Sequence, residues 1–182
     1  ATYDRVVVKK VPQSANRVAI LLSGGAQIAE HLTPKEYDSL SRAKNVSVVG
    51  VKGNENMFMI LNFKSPPFDN PLVRRAIAHA VPYGRIIDTS YFGKAHKWAG
   101  VVPSTYPGFH VASTQYDYNP EKAKALLAEA GYPGGEGLEA FPDSFKLTYM
   151  LERESEMGPT ATILHTALRE IGINVELNPI PQ

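Results

Sequence analysis

Asn62-Phe63-Lys64-Ser65-Pro66-Pro67-Phe68-Asp69-Asn70, continuing through Pro71-Leu72 into Val73-Arg74-Arg75-Ala76-Ile77-Ala78-His79-Ala80-Val81, is the stretch on which the fold turns. Asn70 offers a side-chain oxygen to the unpaired amides of a first helical turn. Pro71 fits the first helical position, where no amide proton is needed. Val73, Ala76, Ile77, Ala80 and Val81 recur at helical spacing and form one apolar stripe, while Arg74 and Arg75 point away from it. Pro82 disfavours helical geometry at Val81, so a break or kink is expected there. A second short helix over 83–92 ends at Gly93.

Downstream, residues 94–117 are long and irregular, with Pro103, Pro107 and Gly108 but little periodicity. Loops of that length inside a compact domain are often functional. Asn119-Pro120 repeats the cap-plus-proline start, and Ala123, Leu126, Leu127 and Ala130 form a buried stripe that Gly131 stops. A Gly- and Pro-rich connection covers 132–142. Residues 145–151 read as a strand, and a helix follows from about Met157 to Ile171, with Ile163, Leu164, Ala167, Leu168 and Ile171 inward. Gly172 closes that helix, and 173–177 is the last expected strand.

Upstream, the valine-rich residues 3–11, bounded by Pro12, predict a strand. Ser14 is placed to cap a helix whose Val18, Leu21 and Leu22 share a face and which Gly24-Gly25 ends. A short strand over 26–29 follows, and Thr33-Pro34 then opens a helix with Tyr37 and Leu40 on its apolar side. Strands at 46–51 and 57–63 flank the turn chemistry of Gly53-Asn54. Strands and helices alternate with no repeat and no low-complexity segment. The order predicts an α/β fold, a mixed sheet flanked by helices, in a single domain over 1–182.

The bulk composition narrows the function. The chain has 182 residues, 19 Lys and Arg against 18 Asp and Glu, and 43% hydrophobic residues. Charges of both signs are interspersed, without the basic stripe that phosphate contacts demand, so no nucleic-acid partner is expected. There is no cysteine, which excludes disulfides, thiolate metal sites and a cysteine nucleophile. No apolar run approaches the roughly 20 residues of a membrane span. No secretory signal precedes the first expected strand, and the chain starts without Met, as a processed or engineered chain would.

Catalytic and cofactor motifs are sought without success. The glycines between 131 and 137 leave a helix instead of opening one, and no P-loop Lys-Ser/Thr pair follows, so they read as a turn or linker. His31, His79, His96, His110 and His165 lack paired spacing, so no metal site is expected, and no cofactor. Ser23 stands outside any Gly-x-Ser-x-Gly elbow, where a helix should end. Glu152, Glu154 and Glu156 alternate at a helix start. They favour the helix dipole there, while Glu152 and Glu154 leave a small hydrolase open as a further reading.

The opening stretch, Asn62 to Val81, resembles a signature of family 5 extracellular solute-binding proteins, the dipeptide, oligopeptide and nickel receptors of ABC importers. Tyr116-Asp117-Tyr118-Asn119-Pro120-Glu121-Lys122-Ala123-Lys124-Ala125-Leu126-Leu127-Ala128-Glu129-Ala130-Gly131-Tyr132 is similar to a second signature at matching distance. Leu168-Arg169-Glu170-Ile171-Gly172-Ile173-Asn174-Val175 resembles the family's helix-to-strand joint. The opening strand, Pro12 turn, glycine-ended helix and Ile28 resemble the start of its C-terminal lobe. One departure is Pro82-Tyr83, where relatives usually carry Asp-Arg or a similar polar pair.

The resemblance implies a periplasmic-binding-protein-like lobe, class II, of peptide-receptor type. Residues 1–182 would be most of the C-terminal lobe, with the first lobe and the extreme C-terminal part absent. It implies no enzyme but a solute-binding component that closes two lobes on a peptide, opine, oligosaccharide or nickel chelate and delivers it to ABC permease membrane subunits. The implied location is the periplasm, or the outer face of a Gram-positive cell as an anchored lipoprotein. A cytoplasmic effector-sensing domain of a bacterial transcriptional regulator is the alternative on the same fold. The loop Leu151-Glu152-Arg153-Glu154-Ser155 corresponds to one that contacts ligand in peptide receptors. Arg153 is then the candidate for a ligand carboxylate and Glu154 for an amino group, since guanidinium forms bidentate charge-assisted bonds; pairing of Arg153 with neighbouring glutamates is the competing reading. Trp98 and Tyr106 are candidate aromatic walls, against ordinary packing. Asn62 is a candidate polar contact, against a turn hydrogen bond.

Overall fold

Packing groups the chain into two units, Ala1–Gly50 and Val51–Gln182. The computed structural model describes residues 3–51, 53–111 and 114–181.

The first unit is built on α1 (Ser14–Leu22) and α2 (Pro34–Leu40). Gln13, not Ser14, occupies the cap position of α1. Ser14 is instead the first helical residue, and its hydroxyl donates to Glu36 Oε1 at 3.0 Å. Thr33 and Glu36 form a reciprocal capping box at α2, with Glu36 N donating to Thr33 Oγ1 at 3.3 Å and Thr33 N to Glu36 Oε2 at 2.7 Å. Arg17 ties the flanking segments together, its guanidinium donating to the carbonyls of Val11, Pro12 and His31 at 2.5, 2.9 and 2.6 Å.

The second unit holds α3 (Pro71–Ala80), α4 (Tyr83–Ser90), α5 (Pro120–Glu129), β1 (Lys146–Met150), α6 (Glu154–Glu170) and β2 (Glu176–Ile180). Asn70 Oδ1 accepts from Leu72 N at 2.9 Å, and Asn119 Oδ1 accepts from Lys122 N at 2.9 Å, so both cap-plus-proline starts form as expected. The stripe of α3 packs on that of α5, with Val73, Ala76, Ala123 and Leu127 at 0% exposure. Leu168, Ile171 and Ile173 complete the same core from the other end of the chain.

Three of the helices stop by one device. In α1, α5 and α6 the second residue past the cap donates back to the third from the helix end: Gly25 N to Ile20 O at 2.9 Å, Tyr132 N to Leu127 O at 2.8 Å and Ile173 N to Leu168 O at 2.9 Å. Each turn passes through a glycine with positive φ, Gly24, Gly131 or Gly172. The α6 helix begins earlier than Met157, at Glu154, with Glu154 and Glu156 in its first turn complementing the positive end.

β1 and β2 pair in parallel, from Lys146 opposite Glu176 to Met150 opposite Ile180, and α6 is their crossover. They are the only sheet among the described residues. The last strand therefore starts later than predicted, because Ile173 is spent in the core and in the stop of α6. The expected strands at 3–11, 26–29, 46–51 and 57–63 have no ladder partner. Val6, Val7, Val8, Val48 and Val49 are exposed. Valine expresses its β preference against a paired, half-buried surface, which these segments lack. Residues 58–61 keep the alternation of a strand, with Met59 and Leu61 against the core and Phe58 and Ile60 outward.

Candidate functional site

β1 ends in a 3₁₀ turn, Leu151–Arg153, that leads straight into α6. The turn thus sits at the carboxyl end of a parallel strand, the place where open α/β sheets bind ligands. Arg153 is fixed there by Glu156. Its Nε donates to Oε2 at 3.0 Å and its Nη2 to Oε1 at 2.5 Å, a side-on bidentate pair. Glu55 Oε2 stands 3.7 Å from the same Nη2. The hydrogen bond to Glu156 raises the guanidinium pKa above its ordinary value; burial opposes it, and the charges of Glu156 and Glu55 and the Tyr91 phenol add to it. Nη2 thus bonds Glu156 Oε1 on its Nε side, Glu55 stays beyond hydrogen-bond length, and Nη1 makes no hydrogen bond found among the described residues.

Tyr91, just past α4, presents its hydroxyl to Met57 Sδ at 3.0 Å. Burial raises its pKa, and the Glu156 charge adds to that, while Thr160 and Arg153 oppose it. The segment around residues 53–57 is also fastened to the long loop. Asn56 Nδ2 donates to Val101 O at 3.3 Å, and Thr105 Oγ1 to Gly53 O at 3.5 Å. Lys97 closes that loop at its base by donating to Tyr116 O and pairing with Asp117 Oδ1 at 2.9 Å, with its ammonium 4.7 Å from the centre of the Tyr83 ring. The Lys97 hydrogen bond and charge lower the Asp117 pKa. Within the loop, Trp98 donates from Nε1 to Val102 O at 2.8 Å and tilts against Phe109, ring centres 5.6 Å apart. Tyr106 is 46% exposed.

Arg153, Trp98 and Tyr106 therefore lie on elements joined through residues 53–57. Asn62 and Glu154 are engaged elsewhere. Asn62 Nδ2 donates to Ser65 Oγ at 2.8 Å and its Oδ1 accepts from Lys64 N at 3.2 Å, which makes a turn. The Glu154 carboxylate lies over Gly158 and, after burial, raises the pKa of the Tyr149 phenol. Sequence reasoning missed Glu55, Met57 and Tyr91 around Arg153. The spacing of Arg153 and Glu156 at i and i+3 was a usable signal for their pairing; nothing local pointed to the other three. No group of three or more His, Cys, Asp or Glu among the described residues is arranged to hold a metal, and none of the described helices is long and apolar enough to cross a membrane.

Comparison with known proteins agrees with this architecture. The chain is 33% identical over 132 residues to heme-binding protein A of Haemophilus influenzae, covering 72% of this chain and 24% of that protein. It is 32% identical over 136 residues to the glutathione-binding protein GsiB of Shigella flexneri, covering 72% and 26%. The periplasmic binding protein DppA of Helicobacter pylori, solved in complex with the peptide STSA, superposes with a TM-score of 0.75 at 28% identity, over 95% of this chain and 32% of that one. The chain thus spans about a quarter to a third of the length of these relatives. The α/β lobe is of the periplasmic-binding-protein kind, and the family is one of binding proteins, not of enzymes. With the match running over residues 1–182, the chain belongs to the family described as bacterial extracellular solute-binding proteins, family 5 Middle.

Proposed function

We propose that this chain is part of a receptor that binds a carboxylate-bearing small solute outside the cytoplasmic membrane and hands it to an ABC permease. The observation that carries the reading is the Arg153 guanidinium, held by Glu156 through Nε and Nη2 at the carboxyl end of β1, with Glu55 no nearer than 3.7 Å to Nη2. A planar carboxylate fits its Nη1/Nη2 edge as a second bidentate pair. The relatives described above are named for heme, glutathione or a bound peptide, all of which carry carboxylates. Each is named as a binding protein, and no observation favours the regulator.

In this reading the remaining length of the receptor supplies the rest of the two lobes, which close on the solute by hinge motion. Trp98 and Tyr106 contribute apolar wall, while Asn62 and Glu154 reach the solute only by leaving their present partners. The receptor works in the periplasm or, in a Gram-positive host, tethered as a lipoprotein. A thermal-shift screen of the full-length protein against free-acid peptides, opines, metal chelates and sugars tests this. Solute at 100 times Kd stabilises the folded state by about 2.7 kcal/mol. The expected result is a rise with carboxylate solutes that Arg153→Ala removes and Arg153→Lys reduces. A rise with sugars alone, or an unchanged rise in Arg153→Ala, contradicts the proposal.

A further inference from the structure

We infer that Glu55 is a built-in competitor for the solute carboxylate and sets the receptor's selectivity among acidic solutes, an inference that rests on the carboxylate reading of Arg153. The two glutamates on Arg153 are held very differently. Glu156 is 30% exposed and bonds both Nε and Nη2, so it positions the guanidinium. Glu55 is 81% exposed and approaches Nη2 alone, at 3.7 Å, beyond hydrogen-bond length. An exposed pair of that kind is worth at most about 1 kcal/mol and breaks easily. Its side chain is nevertheless kept close, because its neighbours are anchored: Gly53 O accepts from Thr105, Asn56 Nδ2 donates to Val101 O, and Met57 Sδ receives the Tyr91 hydroxyl.

Charge then decides what happens on binding. Arg153 faces two carboxylates already, so the cluster carries one negative charge in excess. A third carboxylate on the Nη1/Nη2 edge meets Glu55 as a like charge within a few ångströms, well inside the screening length of ordinary salt. Glu55 therefore swings into solvent as the solute seats. A solute that fills both Nη1 and Nη2 outcompetes it, whereas one offering a single acceptor gains too little to displace it. Selectivity arises from a repulsive element as well as an attractive one.

The test is a calorimetric titration of the full-length protein and its Glu55→Gln, Arg153→Lys and Arg153→Ala variants. The probes are the peptides Ser-Thr-Ser-Ala, Met-Leu and glutathione as free acids, with the C-terminal amides of the first two as controls. Glu55→Gln is expected to tighten the free acids by up to about fivefold, the size of an exposed ion pair, and to leave the amides unchanged. That gain should vanish in the Arg153→Ala background. Unchanged or weaker free-acid binding in Glu55→Gln, while Arg153→Ala still abolishes it, overturns the role of Glu55 and leaves the carboxylate reading standing. Equal tightening of acids and amides also overturns it, since no carboxylate is then being contested. Full binding in Arg153→Ala, or no free-acid binding in either parent or Glu55→Gln, overturns the carboxylate reading itself and the inference with it.

Discussion

Thr33-Pro34 was legible as a helix start, and the structure adds Glu36, two residues after the proline, as its reciprocal partner. Glu36 also gathers Ser14 and Arg17. Burial pushes its pKa up, but the Thr33 backbone and side-chain bonds, the Ser14 bond and the Arg17 charge outweigh this and set it below 4.5. A carboxylate with a depressed folded pKa contributes stability that is present above the unfolded value and lost as pH falls through the folded one. The first unit is thus expected to weaken as pH drops below about 4.5, with Glu36→Gln flattening that slope. Thr33→Ala should cost about 1 kcal/mol at neutral pH. Denaturant unfolding of both variants across acid pH checks it, and an unchanged slope in Glu36→Gln would count against the box. Around Arg153 the same kind of reading reaches only partway. Arg153 came from resemblance to the family, and its neighbouring glutamates stood only as competing partners, without Glu156 singled out. Glu55 and Tyr91 reach it through tertiary packing that no short window contains.

At the scale of elements, helices could be read because their starts and stops are written within a few residues. Asn70-Pro71, Asn119-Pro120 and the glycines at 24, 131 and 172 each act on their own turn. Strands could not, because a strand exists only with a neighbour. The valines of 3–11 have the propensity without the partner, while 146–150 and 176–180 find each other across α6. The α6 stop shows how sharply a local signal can be constrained. Gly172 has φ +92°, and a Cβ there would overlap the Gly134 carbonyl; one on Gly135 would overlap that of Gly172. Gly172→Ala is therefore expected to destabilise the second unit by more than about 1 kcal/mol, since both the backbone and the space exclude it. Gly84→Ala, with open space around it and no positive φ, serves as the control. Equal melting temperatures for the two variants would refute the close approach.

For the whole molecule, the helical signatures placed the chain in its family although the sheet was over-read, because helix caps and stops carry most of the legible pattern here. The junction after β1 follows from topology: a parallel pair needs a crossover, and α6 makes it with Arg153 at its start. The chain covers only part of its relatives' length, so the solute proposed for it rests on the site chemistry. The most direct measurement is a crystal structure of the full-length protein with a bound acidic peptide. The expected structure has the peptide carboxylate on the Nη1/Nη2 edge of Arg153, Glu156 unmoved on Nε and Nη2, and Glu55 turned to solvent. A peptide carboxylate seated away from Arg153, with both glutamates still on the guanidinium, would contradict it.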